Sequence, residues 1–267
     1  MIPMLYRLIS KVPPVIFKPA YDFYESYLLE KVKSGEIPKH VAIIMDGNRR
    51  WARKLEKPPW YGHLFGSNKL EEILEWCRDL GIRTLTAYAF STENFKRSPE
   101  EVNALMNLFE QKFKELIKDE RVHRYGIRVN VIGRKDLLPE NVRKAAEEAE
   151  RVTKKYNNYT LNLAIAYGGR SEITDAVREI VQDALEGRIS PDEIDEDLIK
   201  RYLYHPNMPD PDIVIRTGGE VRISNFLLYQ IAYSELFFVD VYFPEFRKID
   251  FLRIIREYQK RQRRFGK

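Results

Sequence analysis

The stretch HVAIIMDGNRRWARK, residues 40–54, ends an apolar run at Asp46 and then places an Asn, two Arg and a Trp within five residues. Two readings of it are open. As structure, Asp46-Gly47 is turn chemistry, Asn48 caps a helix, and Arg49, Arg50, Arg53 and Lys54 are its wet face. As chemistry, it is an anion site, because in open α/β sheets ligands sit at the carboxyl ends of strands, where the next helix offers free N–H groups and its positive dipole end. The pattern recurs. After TLTAYAF come Ser91, Glu93, Asn94 and Arg97; after NLAIAY come Gly168, Gly169 and Arg170; after DIVI come Arg216, Gly218, Gly219, Glu220, Arg222 and Ser224. Guanidinium forks and glycine-rich backbone suit phosphate oxygens, and hydroxyls complete the shell. With Asp46 and a second carboxylate nearby, a hard cation such as Mg2+ bridging phosphate oxygens fits the set.

Familiar phosphate motifs do not account for these loops: there is no GxxxxGK[ST], no GxGxxG after a strand and no kinase signature. The four His, at 40, 63, 123 and 205, lack metal-ligand spacing, and only His63 falls among the loops. A haloacid-dehalogenase-like phosphatase needs a second Asp two residues after the first, where this chain has Asn48. Around the polar edge stand Phe90, Phe95, Phe226, Leu227, Leu228, Phe237 and Phe238. Residue by residue these read as core, yet an apolar cavity beginning beside a phosphate site would suit a lipid diphosphate.

The elements that must position these loops alternate short apolar runs with amphipathic segments, the signature of a mainly parallel sheet covered by helices. The predicted strands are 40–45, 82–90, 127–132, 160–166, 212–215 and 236–241. The clearest helix starts at the capping box Ser98-Pro99-Glu100-Glu101 and carries a stripe of Val102, Leu105, Met106, Phe109, Phe113, Leu116 and Ile117. A second box at Ser190-Pro191-Asp192-Glu193 predicts another helix, whose run DEIDED reads as dipole complement rather than as a metal site.

At 267 residues, 44% apolar and 32% charged, the chain has the composition of a globular α/β domain, and a net charge of +5 suggests an anionic partner. Its one cysteine, Cys77, excludes internal disulfides and thiolate clusters and suits a reducing, cytoplasmic compartment. Residues 1–36 read as an amphipathic arm ahead of a single domain, 37–267. The arm does not span a bilayer, since a transmembrane helix needs about 20 mostly apolar residues and Arg7, Lys11, Lys18, Pro13, Pro14 and Pro19 interrupt it. It either packs on the domain or lies on a membrane surface.

From about residue 37 to the C-terminus the chain resembles the cis-prenyltransferases, the undecaprenyl and dehydrodolichyl diphosphate synthase family. The resemblance rests on HVAIIMDGNRRWARK, GHLFG, TLTAYAFSTENFKRS, NLAIAYGGRSEI and IVIRTGGEVRISNFLLYQIAYSELFFVDVYFPEF, in that order. It implies a homodimer or heterodimer, a six-stranded parallel sheet flanked by helices and a hydrophobic tunnel. It also implies a reaction in which isopentenyl diphosphate extends an allylic diphosphate, geranylgeranyl or farnesyl, to a long Z-polyprenyl diphosphate such as undecaprenyl diphosphate, precursor of a glycosyl carrier lipid, at the membrane surface.

By matching position the resemblance gives Asp46 to Mg2+ and the diphosphate, and Gly47, Asn48, Arg49 and Arg50 to the allylic cradle, with Trp51 and His63 lining the same site. Arg97, Arg216, Arg222, Ile223 and Ser224 match the isopentenyl diphosphate clamp, and Glu235 matches the second Mg2+ carboxylate. Ser91, Thr92, Glu93, Asn94 and Phe95 match a mobile loop; Asn94 is assigned orientation, because a carboxamide is a poor base. Arg264 and Gly266 resemble the RxG motif that completes the partner subunit's site. Many bacterial members have Arg, His and Pro where this chain has Pro59, Val221 and Ser98. The arm and the NRRW form look archaeal or eukaryotic. Two alternatives are weaker: a non-catalytic subunit of a two-component prenyltransferase would have lost Asp46 and its cradle, and a nucleic-acid binder would carry a basic stripe rather than converging loops.

Overall fold

The structure, a computed structural model, describes residues 18–261. Along the chain come α1 (Lys18–Lys33), β1 (His40–Ile44), α2 (Asn48–Lys54), α3 (Pro59–Leu80), β2 (Thr84–Ser91), α4 (Pro99–Lys118), α5 (Glu120–Tyr125) and β3 (Ile127–Ile132). There follow α6 (Glu140–Thr153), β4 (Tyr159–Tyr167), α7 (Gly169–Leu185), α8 (Glu196–Tyr202), β5 (Ile213–Arg216), β6 (Glu235–Phe238) and α9 (Lys248–Lys260). The described residues divide into two compact units: α1 and α9 with their flanking residues, and residues 38–246. In the first, Gln259 Nε2 donates to the carbonyls of Val32 (2.8 Å) and Glu36 (2.9 Å), and the Arg253 guanidinium lies 5.4 Å from the Tyr24 ring centre. The last helix, α9, groups with α1. Among the described residues no helix is long and apolar enough to cross a membrane.

The second unit holds the predicted six-stranded sheet, in the order β3-β4-β2-β1-β5-β6 with every neighbouring pair parallel. Its strands are built from Val, Ile, Leu and Ala because both faces are covered. From β1 the chain winds outward through β2 towards β3 and β4, then returns to place β5 on the other side of β1. The switch point therefore lies between β1 and β5, where a crevice opens beyond the strand ends. Asp46 follows β1 and Arg216 ends β5, so the topology alone brings these two together.

One core cluster joins Phe90, Val131 and Ile165 to Leu105, Met106 and Phe113 of α4 and to Val142 and Ala146 of α6. Another joins Ala42, Ile44, Tyr88, Ala164 and Val214 to Phe226 and Leu227. Tyr88 and Phe90, two residues apart, fall in different clusters because the β2–β4 register shifts between them. Such a bulge sends successive same-phase side chains to opposite faces.

Two predictions need correction. The second capping box forms only a 3-10 turn, Pro191–Glu193, and the helix starts at Glu196 with Asp195 as its own cap, accepting from Leu198 N–H at 2.7 Å. Strand β6 stops at Phe238 rather than at residue 241, because the Val239 and Val241 carbonyls accept the Gly219 and Gly218 N–H groups.

A polar ladder crosses four strands inside this apolar sheet. Asn130 Nδ2 donates to Asn162 Oδ1 (2.8 Å), Asn162 Nδ2 to Thr86 Oγ1 (3.0 Å), and Thr86 Oγ1 meets His40 Nε2 at 2.7 Å. His40 Nδ1 lies 2.7 Å from the Pro209 carbonyl. That carbonyl can only accept, so Nδ1 carries the proton and Nε2 accepts from Thr86. Burial pushes this imidazole down to about 4, against the opposing pull of the Pro209 carbonyl, Asp212 and Asp210. Below pH 6.5 the unfolded chain therefore takes up a proton that the folded one refuses, so His40's contribution is present above that pH and lost as the pH falls towards 4. Between pH 7 and pH 5 His40 is expected to cost about 2 kcal/mol of stability. Urea unfolding at the two pH values, compared with His40→Asn, checks this: the variant should be less stable at pH 7 but less sensitive to acid, and equal pH slopes would refute the assignment.

Candidate active site

Gly47 makes the turn from β1 into α2 at φ 101°, and a Cβ there would meet the Tyr242 ring at 2.7 Å. The turn aims Asp46 across the switch point. Its Oδ2 accepts from Arg216 Nη2 at 2.8 Å, and its Oδ1 accepts from Gly47 N–H at 2.6 Å and lies 3.2 Å from Arg50 Nη2. Partial burial raises the carboxyl pKa, but the Arg216 hydrogen bond and charge, then Arg50 and Gly47, outweigh it and hold Asp46 below the usual carboxylate range. Arg216, only 4% exposed, also donates through Nη1 to Ser224 Oγ (2.7 Å) and to the Arg222 carbonyl. Ser224, Asn225 and Leu227 all have positive φ, the kind of strained backbone that collects at ligand sites.

Asn225 ties three strand-end loops together. Its Oδ1 accepts from Arg170 N–H (2.8 Å), its carbonyl from Gly169 N–H (2.7 Å), and its Nδ2 donates to Glu93 Oε1 (3.1 Å). A second junction forms around Glu101. This buried carboxylate accepts from Arg97 Nη1 (2.9 Å), sits 3.2 Å from His63 Nε2 and pairs with Arg49 Nε at 3.4 Å. Burial pushes its pKa up, but His63, Arg97 and Arg49 together bring it below the usual range. Burial lowers that of His63, with Arg97 and Arg49 adding to the effect against Glu101. A neutral His63 therefore donates its Nε2 proton to an ionised Glu101.

A cavity of about 810 Å³ opens at this edge. Asp46, Asn48, His63, Ser91, Asn94, Arg97, Arg216, Arg222 and Ser224 line its polar end; Leu70, Leu74, Phe90, Leu105, Phe109, Phe113, Leu163 and Ile165 line its interior. Two buried polar atoms of the polar end, Asn48 Oδ1 and Arg216 Nε, have no hydrogen-bond partner among the described residues. Buried polar atoms are rarely left so, and a bound ligand is one way they are satisfied.

The predicted residues are not all brought to this cavity. Gly47, Arg49, Arg50 and Glu93 do not line it; they contact Asp46, Glu101 and Asn225 at its rim. Asn94 lines it, and its Oδ1 accepts from Ser91 N–H at 3.1 Å, capping the turn Thr92–Lys96. Thr92 begins that turn, and Phe95 packs on Phe90, ring centres 4.8 Å apart. Ile223 packs against the core cluster of Tyr88 and Phe226. Trp51 does not line the cavity: it stacks on Tyr61 at 5.9 Å and donates to Glu245 Oε1 at 3.2 Å. Glu235 opens β6 in register with Ile213, whereas Asp46 lies two residues beyond Ile44, the neighbour of Arg216. The offset is roughly 16 Å along the strands at ~3.3 Å per residue, so one chain does not bring Glu235 to Asp46. Arg264 and Gly266 lie outside the described residues.

A hard cation fits this end in one mode. Among the described residues no group of three His, Cys, Asp or Glu could hold a metal. Mg2+, however, is ordinarily held by one or two carboxylates together with substrate phosphates. Asp46, surrounded by phosphate-binding guanidinium groups, suits a cation that arrives with a diphosphate.

The Prenyltransf family model, described as undecaprenyl diphosphate synthase, matches residues 44–266. The chain belongs to this family. The undecaprenyl diphosphate synthases are cis-prenyltransferases, and this chain is a prenyl-chain-elongating enzyme of that class. It is 86% identical over 264 residues to the tritrans,polycis-undecaprenyl-diphosphate synthase (geranylgeranyl-diphosphate specific) of Thermococcus kodakarensis, covering 99% of this chain and 100% of the relative. It is 78% identical, with the same coverage, to the Pyrococcus furiosus protein of the same name. Among solved structures, lavandulyl diphosphate synthase from Lavandula x intermedia, in complex with dimethylallyl diphosphate, superposes with a TM-score of 0.83 at 37% identity, covering 89% of this chain and 100% of that one.

Sequence reasoning missed Glu101 and Asn225 as the junctions that tie the loops of this candidate site together. Glu101 was legible only as a helix cap, although its place four residues after Arg97, inside the same loop-to-helix junction, was a usable signal. Asn225 follows Ser224 directly and carried no signal of its own.

Proposed function

We propose that the enzyme extends geranylgeranyl diphosphate with successive isopentenyl diphosphate units to a Z-polyprenyl diphosphate of about undecaprenyl length, feeding synthesis of a glycosyl carrier lipid. The observation that carries this reading is one cavity with two chemistries, a cationic end around Asp46 continuing into an apolar interior large enough for a prenyl chain. The names of the relatives at 86% and 78% identity support the primer and the product.

In this reading the allylic diphosphate sits at Asp46, against Arg50 and the Asn48 end of α2, with its hydrocarbon in the cavity. Arg216, Arg222, Ser224 and Arg97 hold the diphosphate of isopentenyl diphosphate, so its double bond faces the allylic C1. The C1–O bond breaks with its electron pair leaving on the diphosphate, the double bond of isopentenyl diphosphate closes the new C–C bond, and a proton leaves its C2. Bound Mg2+, held by Asp46 and phosphate oxygens, would neutralise charge on the departing diphosphate. Glu101 keeps Arg49, Arg97 and His63 in register, and Asn94 orients its loop.

A second copy of the chain is the expected partner. Val177, Val181 and Leu185 repeat every four residues along α7 and are exposed, and β6 is an edge strand with Leu236 exposed. Such edges and stripes are usually covered. The intact Asp46, Asn48 and Arg50 favour an active enzyme over a non-catalytic binding subunit, and the apolar, basic arm suits work at the inner membrane surface.

Initial rates with labelled isopentenyl diphosphate and either primer test the reading. Geranylgeranyl diphosphate is expected to give a kcat/KM at least about tenfold above farnesyl diphosphate, an effect worth ~1.4 kcal/mol, and chelation by EDTA should abolish turnover until Mg2+ is restored. Equal use of farnesyl diphosphate would overturn the primer assignment.

A further inference from the structure

The elbow between α2 and α3 turns a connected group of apolar side chains outward. Trp60 is 50% exposed, Leu55 43% and Phe65 39%. Trp51 joins them: it stacks on Tyr61 at 5.9 Å and lies 5.1 Å from Phe65, while Trp60 meets Tyr61 edge-on at 6.1 Å. Leu55, whose N–H points at the Trp51 carbonyl, stands one turn further along the same side of α2. Apolar side chains exposed singly need no explanation, but a connected group does. The elbow is also basic. Residues 49–57 carry five cations against one acid, Glu56. Arg49 and Arg50 turn towards Glu101 and Asp46, which leaves Arg53, Lys54 and Lys57 as the exposed cations. Glu245 Oε1 takes both the Trp51 indole N–H (3.2 Å) and Lys54 Nζ (3.7 Å), so that cation stands at the rim of the rings. The elbow has a fixed shape, because the Lys57 N–H closes back on the Ala52 carbonyl at 2.9 Å.

We infer that this elbow docks the enzyme on an anionic lipid bilayer. Trp and Tyr favour the headgroup level, where one edge of the ring is apolar and the other wet, and Lys and Arg bury their stems while reaching lipid phosphates. A protein partner is the poorer match, since the cores of protein interfaces are depleted of Lys. The use of the dock rests on the elongation reading above, although the binding itself does not. Helix α2 has seven residues, about 10 Å at ~1.5 Å per residue. Its first residue, Asn48, lines the polar end of the cavity. A bilayer held at the elbow therefore lies one short helix away from where the primer's diphosphate sits. An amphiphilic primer can arrive from that surface, and a polyprenyl product can leave to it, with little apolar surface passing through water.

The test is sedimentation of the full-length chain with vesicles of equal parts phosphatidylglycerol and phosphatidylcholine, and with vesicles of phosphatidylcholine alone. Binding should favour the anionic vesicles by about tenfold and weaken in about 0.5 M KCl, where surface charges are screened. Trp60→Ser and Lys57→Ser should each weaken binding about fivefold. Two controls exposed elsewhere, Ile194→Ser and Lys144→Ser, should bind as the unmodified chain does. All four variants should keep its melting temperature and its turnover of detergent-solubilised substrates. Vesicles with brominated acyl chains should quench the tryptophan fluorescence of the unmodified chain, and quench Trp60→Phe far less. Trp60→Ser and Lys57→Ser that sediment like the unmodified chain would overturn the dock, because binding through the N-terminal arm alone leaves both unaffected. Absence of binding by the unmodified chain, or equal binding to both kinds of vesicle, would overturn it too. The elongation reading is judged separately, by turnover: an unmodified chain that makes no polyprenyl product overturns that reading whatever the vesicles show.

Discussion

Asp46→Ala is expected to lower turnover about 10³-fold, the scale on which loss of one preorganised electrostatic group at a reacting centre is felt. The reason lies in what meets at this residue. Arg216, Arg50 and the Gly47 N–H all converge on one carboxylate, which is kept ionised throughout the neutral range. Without it the cationic end has no group to share a cation with a diphosphate, and the buried Arg216 guanidinium loses its charged partner. That loss should also cost stability, about 2–4 kcal/mol and towards the lower figure because Asp46 is partly open to solvent. The two effects separate experimentally. Inorganic pyrophosphate should raise the melting temperature of Asp46→Ala more than that of the unmodified enzyme, since it supplies the missing negative charge, while turnover stays lost. Near-normal turnover in Asp46→Ala would contradict the role.

Gly62→Ala should be nearly as damaging, through packing rather than charge. A Cβ at Gly62 would lie 2.1 Å from the Asn48 carbonyl oxygen and 3.2 Å from Ala52 Cβ, so α2 and α3 could not keep their approach. One turn on, a Cβ at Gly66 would meet Asn48 Oδ1 at 2.5 Å. The cradle helix is seated on these two glycines. Overpacking of this kind costs about 1–3 kcal/mol, and a shift of ~1 Å in a positioned group can cost on the order of 10² in rate. Gly187→Ala is the comparison: its φ of +73° carries backbone strain, but nothing lies within 4 Å of the added methyl, so it should lose some stability and no activity. Urea unfolding with turnover on both variants checks this, and a Gly62→Ala enzyme with unchanged stability and rate would refute the packing argument.

The strands were legible because a sheet covered on both faces writes itself as short apolar runs, and each run also showed which polar residues follow it. The boundaries were less so. The end of β6 depends on which N–H groups take the Val239 and Val241 carbonyls, and those belong to Gly218 and Gly219, some twenty residues away in sequence. Asp46 and Arg216 were legible as residues, and their meeting followed once β1 and β5 proved to be neighbours. Glu101 was not legible as a hub, because its partners come from α2, α3 and the β2 loop, and how those elements meet is a tertiary property. Trp51 illustrates the reverse: within a motif it reads as a site residue, yet the α2–α3 crossing turns it towards Tyr61 and Phe65. Glu235 was matched from a family pattern, and the predicted strand 236–241 begins directly after it, so it stands at the strands' starting ends whereas Asp46 follows the end of β1.

The most direct test of the central claim is incubation of the full-length protein with geranylgeranyl diphosphate, labelled isopentenyl diphosphate and Mg2+, with chain length and double-bond geometry of the product determined together. The expected product is a long polyprenyl diphosphate whose added units are all Z and whose formation disappears in Asp46→Ala. Added units of E geometry, or no incorporation beyond the primer, would contradict cis-prenyl elongation at this site.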